Sequence, residues 1–271
     1  MARKRNIRLV VEYDGTNLHG WQLQKDKPTV QGELQRALQE IEGRKVLVIG
    51  SGRTDAGVHA EGQVANFHTS SPMPSRKWPD ALNAHLPPDI AVIGAQEVPL
   101  PFHAQYAATS KTYRYRVLNR QVRGALERHR CYLVKAPLDV ERMRAAANLL
   151  VGTHDFRSLA TNRGQVLKDA VRTLTRCHVT RSGPQITFVI EGDGFLYKMC
   201  RSIVGTLVQV GKGRFSELDI RKILAAENRS AAGMTAPADG LVLWKVFYSG
   251  KGKAPRGEQA DPNPEGAEDA E

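Results

Sequence analysis

The spacing of apolar residues changes repeatedly along this chain, and this change constrains the fold more than any other feature of the sequence. Segment 7–13 alternates apolar and polar residues, which predicts a half-buried strand ending at an Asp-Gly turn. Segment 30–41 repeats apolar residues at helical spacing between a cap at Thr29 and a stop at Gly43. Strand and helix patterns therefore occur side by side within the first fifty residues.

The rest of the chain continues this mixture. Strands are predicted over 46–49, 63–68, 90–98, 112–118, 174–180, 185–191 and 241–248. Helices are predicted over 75–86, 138–151, 194–210 and 216–227, the last with a capping box at its start. Hairpins rather than a helix after every strand favour an α+β fold with largely antiparallel sheets.

Two halves of similar make-up meet near residues 102–110, which predicts two related subdomains around one central cleft. We place the N-terminal α+β subdomain at 1–105 and the C-terminal one at 106–248. The segment 249–271 is rich in Gly, Pro, Ala and Glu and has no apolar pattern, so we expect a disordered tail there.

The net charge of the chain indicates what kind of molecule it binds. Lys and Arg number 39 against 28 acidic residues, a formal charge of +11. Segment 251–271 holds three basic and six acidic residues, so the rest of the chain carries 36 basic residues against 22 acidic ones. This surplus favours nucleic acid first and an anionic membrane surface second, and a small acidic substrate stays open.

Several classes of protein are disfavoured. The three cysteines, at 131, 177 and 200, form no CxxC pair, which predicts reduced thiols rather than disulfides or structural zinc. The histidines at 59, 68, 85 and 103 match no zinc spacing, so no metal is expected. No apolar run approaches the ~18 residues of a membrane span, and no secretory signal is apparent. We expect a cytoplasmic protein without a membrane segment.

The glycine-rich segment 51–60 is the first place where chemistry could reside. It carries Arg53, Asp55 and His59 together with two glycines, within a stretch, 50–62, that we predict to be loop. Glycines let a ligand approach the backbone closely, and a carboxylate in such a loop can act as nucleophile or general base. On composition alone, an aspartate that caps its own turn is the more common case.

Segment 111–116 combines aromatic and basic residues. A strand here puts Lys111, Tyr113 and Tyr115 on one face and Arg114 and Arg116 on the other. Rings that stack on bases and cations that bind phosphates suit single-stranded RNA. An ordinary strand with half-buried tyrosines and solvated arginines explains the same residues.

Short motifs spread over about residues 7–248 together resemble the tRNA pseudouridine synthase A family. One motif alone is a weak signal, whereas their shared order and spacing are specific. In chain order they are YDGT at 13–16 with GWQ at 20–22, TVQG at 29–32, GRTDAGVH at 52–59, SKTYRY at 110–115, GTHDF at 152–156, GFLY at 194–197 with Met199 and Arg201, and GL at 240–241.

The resemblance implies two RRM-like halves around a cleft, in a homodimer that needs no metal or other cofactor. The implied reaction converts uridine to pseudouridine at positions 38, 39 and 40 in the anticodon stem-loop of tRNA. By position, Asp55 would be the catalytic aspartate, with Arg201 paired to it. Tyr113 would lie against the target base. Arg53 would help hold the extruded nucleotide, and Leu241 would form a wall of the pocket.

The chemistry of the reaction agrees with these positions. The base must leave the stack before its reactive atoms are reachable. An arginine at ~4 Å would attract the Asp55 carboxylate by ~4 kcal/mol at an effective dielectric of ~20, before desolvation is subtracted. Whether that carboxylate attacks the ribose, attacks the base or abstracts a proton stays open. The family often has His-Met-Val-Arg after its FLY motif, where this chain has Lys198 to Arg201, so a role for that histidine is in doubt.

Two alternatives remain at this point. A non-catalytic RNA-binding protein would use the same basic and aromatic strands but would leave Asp55 without a function. A glycosidase-like hydrolase would need two carboxylates that flank the scissile bond. Asp155, which follows a predicted helix stop, has the character of a cap or turn residue rather than a second catalytic acid.

Overall fold

The computed structural model describes residues 3–161 and 169–249, and over these ranges the chain forms one ten-stranded sheet and five α-helices. The strands are β1 (Arg5–Tyr13), β2 (Ile49–Gly50), β3 (His59–Thr69), β4 (Ile90–Val98), β5 (Ala108–Asn119), β6 (Tyr132–Val134), β7 (Gly152–Asp155), β8 (Val171–Ser182), β9 (Gln185–Gly192) and β10 (Leu241–Tyr248). The helices are α1 (Val30–Glu42), α2 (Trp78–Asn83), α3 (Val140–Asn148), α4 (Met199–Gly211) and α5 (Glu217–Ala225).

The order of the strands joins the two halves of the sequence in one sheet. It runs β4-β1-β3-β10-β5-β9-β8-β7, with β2 beside β3 and β6 beside β5. Paired strands run antiparallel, except that β10 is parallel to β3 and β6 is parallel to β5. The predicted α+β class with a largely antiparallel sheet is confirmed. The division at residue 105 stays a prediction, and the predicted tail lies, apart from residue 249, outside the described residues.

The strongest local patterns formed the predicted elements. The side-chain hydroxyl of Thr29 accepts a hydrogen bond from Gly32 N at 3.2 Å and caps α1. Gly43 ends this helix in the left-handed region, at φ 69°. Leu34 and Leu38 of α1 are fully buried, which contributes roughly 1.5–3 kcal/mol each. The hairpin of β8 and β9 and the capping box at the start of α5 are also as predicted.

Three predicted boundaries were wrong near the candidate site. The segment 50–62 is not loop throughout, because β3 begins at His59 and pairs there with β10. The helix predicted over 194–210 begins only at Met199, since Lys198 has φ 60° and so cannot continue a right-handed helix. The strand predicted over 46–49 is reduced to β2.

Other differences lie farther from the site. The helix predicted over 75–86 is a 3₁₀ turn followed by α2, and the one predicted over 138–151 is the shorter α3. Strands β6 and β7 were not predicted, since three or four residues carry too little alternation to detect. In the described ranges, no helix has the length and apolar character needed to cross a membrane.

Helix α4 is the central helix of the C-terminal half and it positions the candidate site. It is buried along almost its whole length and packs against α3, which in turn packs on β8. The segment 234–236 passes directly over it, because a Cβ on Gly205 would lie 1.7 Å from Met234 O. This close approach requires glycine, and it fixes a stretch of backbone beside Arg201.

Candidate active site

A cleft of about 690 Å³ opens between the glycine-rich loop 51–58, strand β5 and the start of α4. Its volume lies in the range of small-molecule sites. The structure places all five site residues predicted from the sequence along its walls, namely Arg53, Asp55, Tyr113, Arg201 and Leu241. Residues that are far apart in sequence therefore meet in one concave site.

Asp55 and Arg201 form an ion pair in the wall of this cleft. The Asp55 Oδ2 to Arg201 Nη1 distance is 2.9 Å, and the side chains are 20% and 14% exposed. The Arg201 Nε–H donates to Ala236 O at 2.8 Å, so the guanidinium is held at two points. Within the described ranges, Asp55 Oδ1 accepts no hydrogen bond, which leaves one carboxylate oxygen for a ligand.

The backbone around Asp55 is held by contacts from the N-terminal half. Thr54 O accepts from Trp21 N at 3.1 Å, and the Thr54 hydroxyl lies 2.8 Å from the Tyr13 hydroxyl. Gly20, at φ 89°, allows this approach, because a Cβ there would lie 2.4 Å from Thr54 O. Burial raises the pKa of Tyr13 to about 12, so its hydroxyl stays neutral. The carboxylate is thus positioned before a substrate arrives.

Tyr113 lies on β5 with its ring packed edge-on against Phe195, at 4.9 Å between centroids. It is 8% exposed. Burial raises the pKa of its hydroxyl well above the ordinary value, with smaller contributions from Cys200, Tyr13 and Asp55. Among residues 3–161 and 169–249 this hydroxyl has no hydrogen-bond partner. Tyr113 is therefore a neutral phenol whose hydroxyl can donate a hydrogen bond to a ligand.

Arg53 and Leu241 occupy different depths of the cleft. Arg53 is exposed on the loop, where a guanidinium can reach a bound polyanion. Leu241 begins β10, is 6% exposed, and is paired in register with Tyr115. The two residues thus provide a cationic side chain at the rim of the cleft and an apolar wall inside it.

The opposite face of β5 is an ordinary strand surface. Arg114 pairs with Glu61, and its guanidinium lies 4.5 Å from the centre of the Trp244 ring. On the cleft side, Tyr115 is 1% exposed and donates its hydroxyl proton to Pro237 O at 2.7 Å. Tyr115 therefore belongs to the core and offers no surface for base stacking, in contrast to Tyr113.

Two other polar residues considered from the sequence have structural contacts. His59 Nε2–H donates to His129 O at 2.7 Å, while Nδ1 accepts from Gly15 N at 3.0 Å. The Asp155 carboxylate accepts a hydrogen bond from Arg157 N at 2.8 Å and forms an ion pair with the Arg157 guanidinium, as expected of a carboxylate in a turn. Of the described residues that line the cleft, Asp55 is the only carboxylate. A two-carboxylate hydrolase is therefore disfavoured.

The cleft contains residues to which the sequence reasoning gave no role. Lys111 lies on β5 beside Gly52 of the loop, and Trp21 contacts the backbone at Gly50. Phe195 and Lys198 precede α4 in the sequence. Trp21 and Phe195 lie within the motifs GWQ and GFLY, so the resemblance contained a signal for both. Lys111 lies within the motif SKTYRY and among the basic residues of 111–116, but the sequence reasoning gave it no individual role.

The chain is similar in sequence to known proteins over most of its length. Residues 9–107 and 146–249 match the family described as tRNA pseudouridine synthase. The tRNA pseudouridine synthase A of Acetivibrio thermocellus is 49% identical over 244 residues, covering 90% of this chain and 100% of that relative. The tRNA pseudouridine synthase A of Halalkalibacterium halodurans is 48% identical over 239 residues, covering 88% and 90%. The tRNA pseudouridine synthase A 2 of Clostridium tetani is 46% identical over 247 residues, covering 90% and 99%.

Proposed function

Because the chain belongs to the tRNA pseudouridine synthase family, an isomerase family that acts on uridine in tRNA, we propose that it modifies positions 38, 39 and 40 of the anticodon stem-loop. The observation that carries the proposal is the Asp55–Arg201 ion pair, with its free carboxylate oxygen facing a cleft of nucleotide size. Asp55 is the catalytic carboxylate in this proposal.

The reaction is an isomerisation, so its atoms and electrons balance without a co-reactant. The N1–C1′ bond breaks, the uracil turns, and a C5–C1′ bond forms. The proton on C5 leaves, and N1 ends with a proton. The Asp55 carboxylate can assist by adding to the substrate, by stabilising a ribosyl cation or by removing the C5 proton. These three routes share one requirement, which is a negative charge at the Asp55 position.

The other cleft residues fit roles around the target nucleotide. Tyr113 lies against the uracil, and its neutral hydroxyl can donate a hydrogen bond to a base oxygen or relay the C5 proton. Arg53 at the rim binds the extruded nucleotide. Leu241 excludes water from one side of the base. Arg201 holds Asp55 and stabilises its charge.

The substrate and the assembly follow from the same premise. A surplus of 14 basic residues before the tail suits the phosphate backbone of tRNA. The family resemblance supports RRM-like subdomains on the two sides of the cleft, divided near residue 105, and a homodimer. A tRNA substrate places the enzyme in the cytoplasm, and the chemistry needs no metal or cofactor.

The Tyr113→Phe variant should bind tRNA as the wild type does but react about 10²-fold more slowly or worse. The ring and its packing on Phe195 remain, while the proton donor is lost. Single-turnover rates at saturating enzyme measure the effect. Equal rates for the two proteins would show that the hydroxyl has no part in the reaction.

Affinity for tRNA should fall steeply as salt concentration rises, because bound cations are released when lysines and arginines contact phosphates. Five or six contacts would give a slope of about −4 to −5 in log K against log salt. Filter binding between 50 and 300 mM salt measures this slope. A flat series would contradict a surface that follows the RNA backbone.

The proposed function is tested by mapping pseudouridine in tRNA from cells with and without this protein. Loss at positions 38 to 40, restored by the wild-type protein, is the expected result. Purified protein should also release tritium from tRNA labelled at uracil C5. Modification at other positions would overturn the assignment of sites. Free uracil would indicate a hydrolase, and tight binding with unchanged uridine would indicate a non-catalytic RNA-binding protein.

A further inference from the structure

Lys111 extends into the active-site cleft from the strand that carries Tyr113. The two residues are separated by one position on β5, so their side chains leave the same face about 6.6 Å apart. Lys111 Nζ lies 3.0 Å from the point that a Cβ on Gly52 would occupy. The ammonium therefore lies beside the loop that carries Asp55, at Gly52, which is three positions before Asp55 in the sequence.

The charge of Lys111 has no counter-ion within the part of the chain that the structure describes. The cleft carboxylate, Asp55, is already paired with Arg201. Burial lowers the pKa of Lys111 to about 8, which shows that the site disfavours its charge. At neutral pH the side chain is still mostly protonated, and an anionic ligand would stabilise that charged form.

The other cations of the cleft have different surroundings. Arg53 is exposed at the rim, and the Lys198 ammonium lies 5.0 Å from the centre of the Tyr197 ring. Gly52 leaves open the space beside Lys111, since any side chain there would press on Nζ. The Lys111 ammonium thus packs against the backbone of the loop, and an anion in the cleft can reach it from the cleft side.

We propose that Lys111 binds a phosphodiester that flanks the target uridine and thereby fixes how deeply the nucleotide enters the cleft beside Tyr113. The inference rests on the proposed function, because it takes the ligand to be RNA. In RNA the anionic groups are the phosphodiesters, and a lysine binds them as a point charge. Lys111 is a positioning residue, which acts on the backbone of the substrate and not on its reacting atoms.

The test combines Lys111→Gln and Lys111→Arg with RNA stem-loops in which one phosphate at a time is a neutral methylphosphonate. The replaced linkages are the two that flank the target uridine and one in the distal stem. Lys245→Gln is the matched control, since it removes an exposed lysine of β10 that does not line the cleft. Single-turnover rates against enzyme concentration separate binding from the maximal rate.

We expect Lys111→Gln to weaken binding about tenfold or more, and Lys111→Arg to recover most of the loss. One flanking methylphosphonate should weaken wild-type binding by a similar factor. The two changes together should cost no more than either alone, because both remove the same contact. The loss of binding caused by the distal methylphosphonate should add to the loss caused by Lys111→Gln. The effect of Lys245→Gln should likewise add to that of either flanking methylphosphonate.

Independent effects of Lys111→Gln and of both flanking methylphosphonates would overturn the inference, as would wild-type binding by Lys111→Gln. Circular dichroism and the melting temperature establish that each variant is folded, and Lys111→Arg provides a readout if the glutamine variant unfolds. If the wild-type protein makes no pseudouridine in any tRNA, the proposed function fails. If the wild type forms pseudouridine but the binding losses from Lys111→Gln and from the flanking methylphosphonates are additive, only the role of Lys111 is contradicted.

Discussion

Replacing Asp55 with asparagine should reduce pseudouridine formation by about 10⁴-fold or more, while the affinity for tRNA stays nearly unchanged. Asparagine has the shape of aspartate and can still accept a hydrogen bond from Arg201, so the cleft keeps its form. It carries no negative charge, and so it cannot act as nucleophile, as base or as partner of a cation. All three chemical routes open to Asp55 are blocked together.

Single-turnover tritium release with excess enzyme, beside filter binding, measures both halves of this expectation. Asp239→Asn is the matched control, because the Asp239 carboxylate lies 3.9 Å from the Cβ position of Gly57 in the same loop but does not line the cleft. It removes the same charge close to Asp55. Substantial turnover by highly purified Asp55→Asn would remove Asp55 from its proposed role.

Replacing Arg201 with methionine should slow the reaction by about 10²-fold or more and should also lower the stability of the protein. The variant leaves the Asp55 carboxylate largely buried without its partner, which costs up to about 3 kcal/mol. It also removes the donor to Ala236 O that ties α4 to the segment 234–236. Lysine at this position should recover little activity, since it cannot serve both contacts with a planar fork.

The loss of stability is separated from the loss of rate by a second arginine variant. Arg229 is partly buried and donates to Thr235 Oγ1 at 2.9 Å, so it holds the same segment without contact to Asp55. Arg229→Met should therefore lower the melting temperature but keep most of the rate. If Arg201→Met reacts as fast as Arg229→Met, the ion pair serves the fold and not the chemistry.

Elements whose signals lie within about a dozen residues could be predicted from the sequence. Helix α1 has its cap, apolar stripe and glycine stop in one short segment, and the capping box of α5 is equally local. The start of α4 could not be predicted, because it depends on the left-handed backbone of Lys198 within a helical apolar pattern. The first residues of β3 pair with β10, far away in sequence, and Ala60 also pairs with Tyr13 of β1, so their strand conformation depends on distant partners.

The site shows the same limit. Asp55 and Arg201 are separated by 146 positions, and no spacing rule joins residues at that distance. Their pairing was expected from the family resemblance, whereas the glycine-rich composition around Asp55 suggested a turn residue first. Lys111 shows a different limit. The sequence presented it as one of several basic residues on a strand, and the structure distinguished it by placing it in the cleft with no carboxylate facing it in the described part of the chain.

The position of β10 has a consequence for synthesis of the protein. This strand leaves the ribosome after β3 and β5, yet it lies between them and supplies Leu241 to the cleft. Until it arrives, a nascent chain has two strand edges that face each other without hydrogen-bond partners, and such edges invite pairing with other chains. The cleft is thus complete only after β10 has been synthesised, and a chain that stops before Leu241 lacks one wall of it.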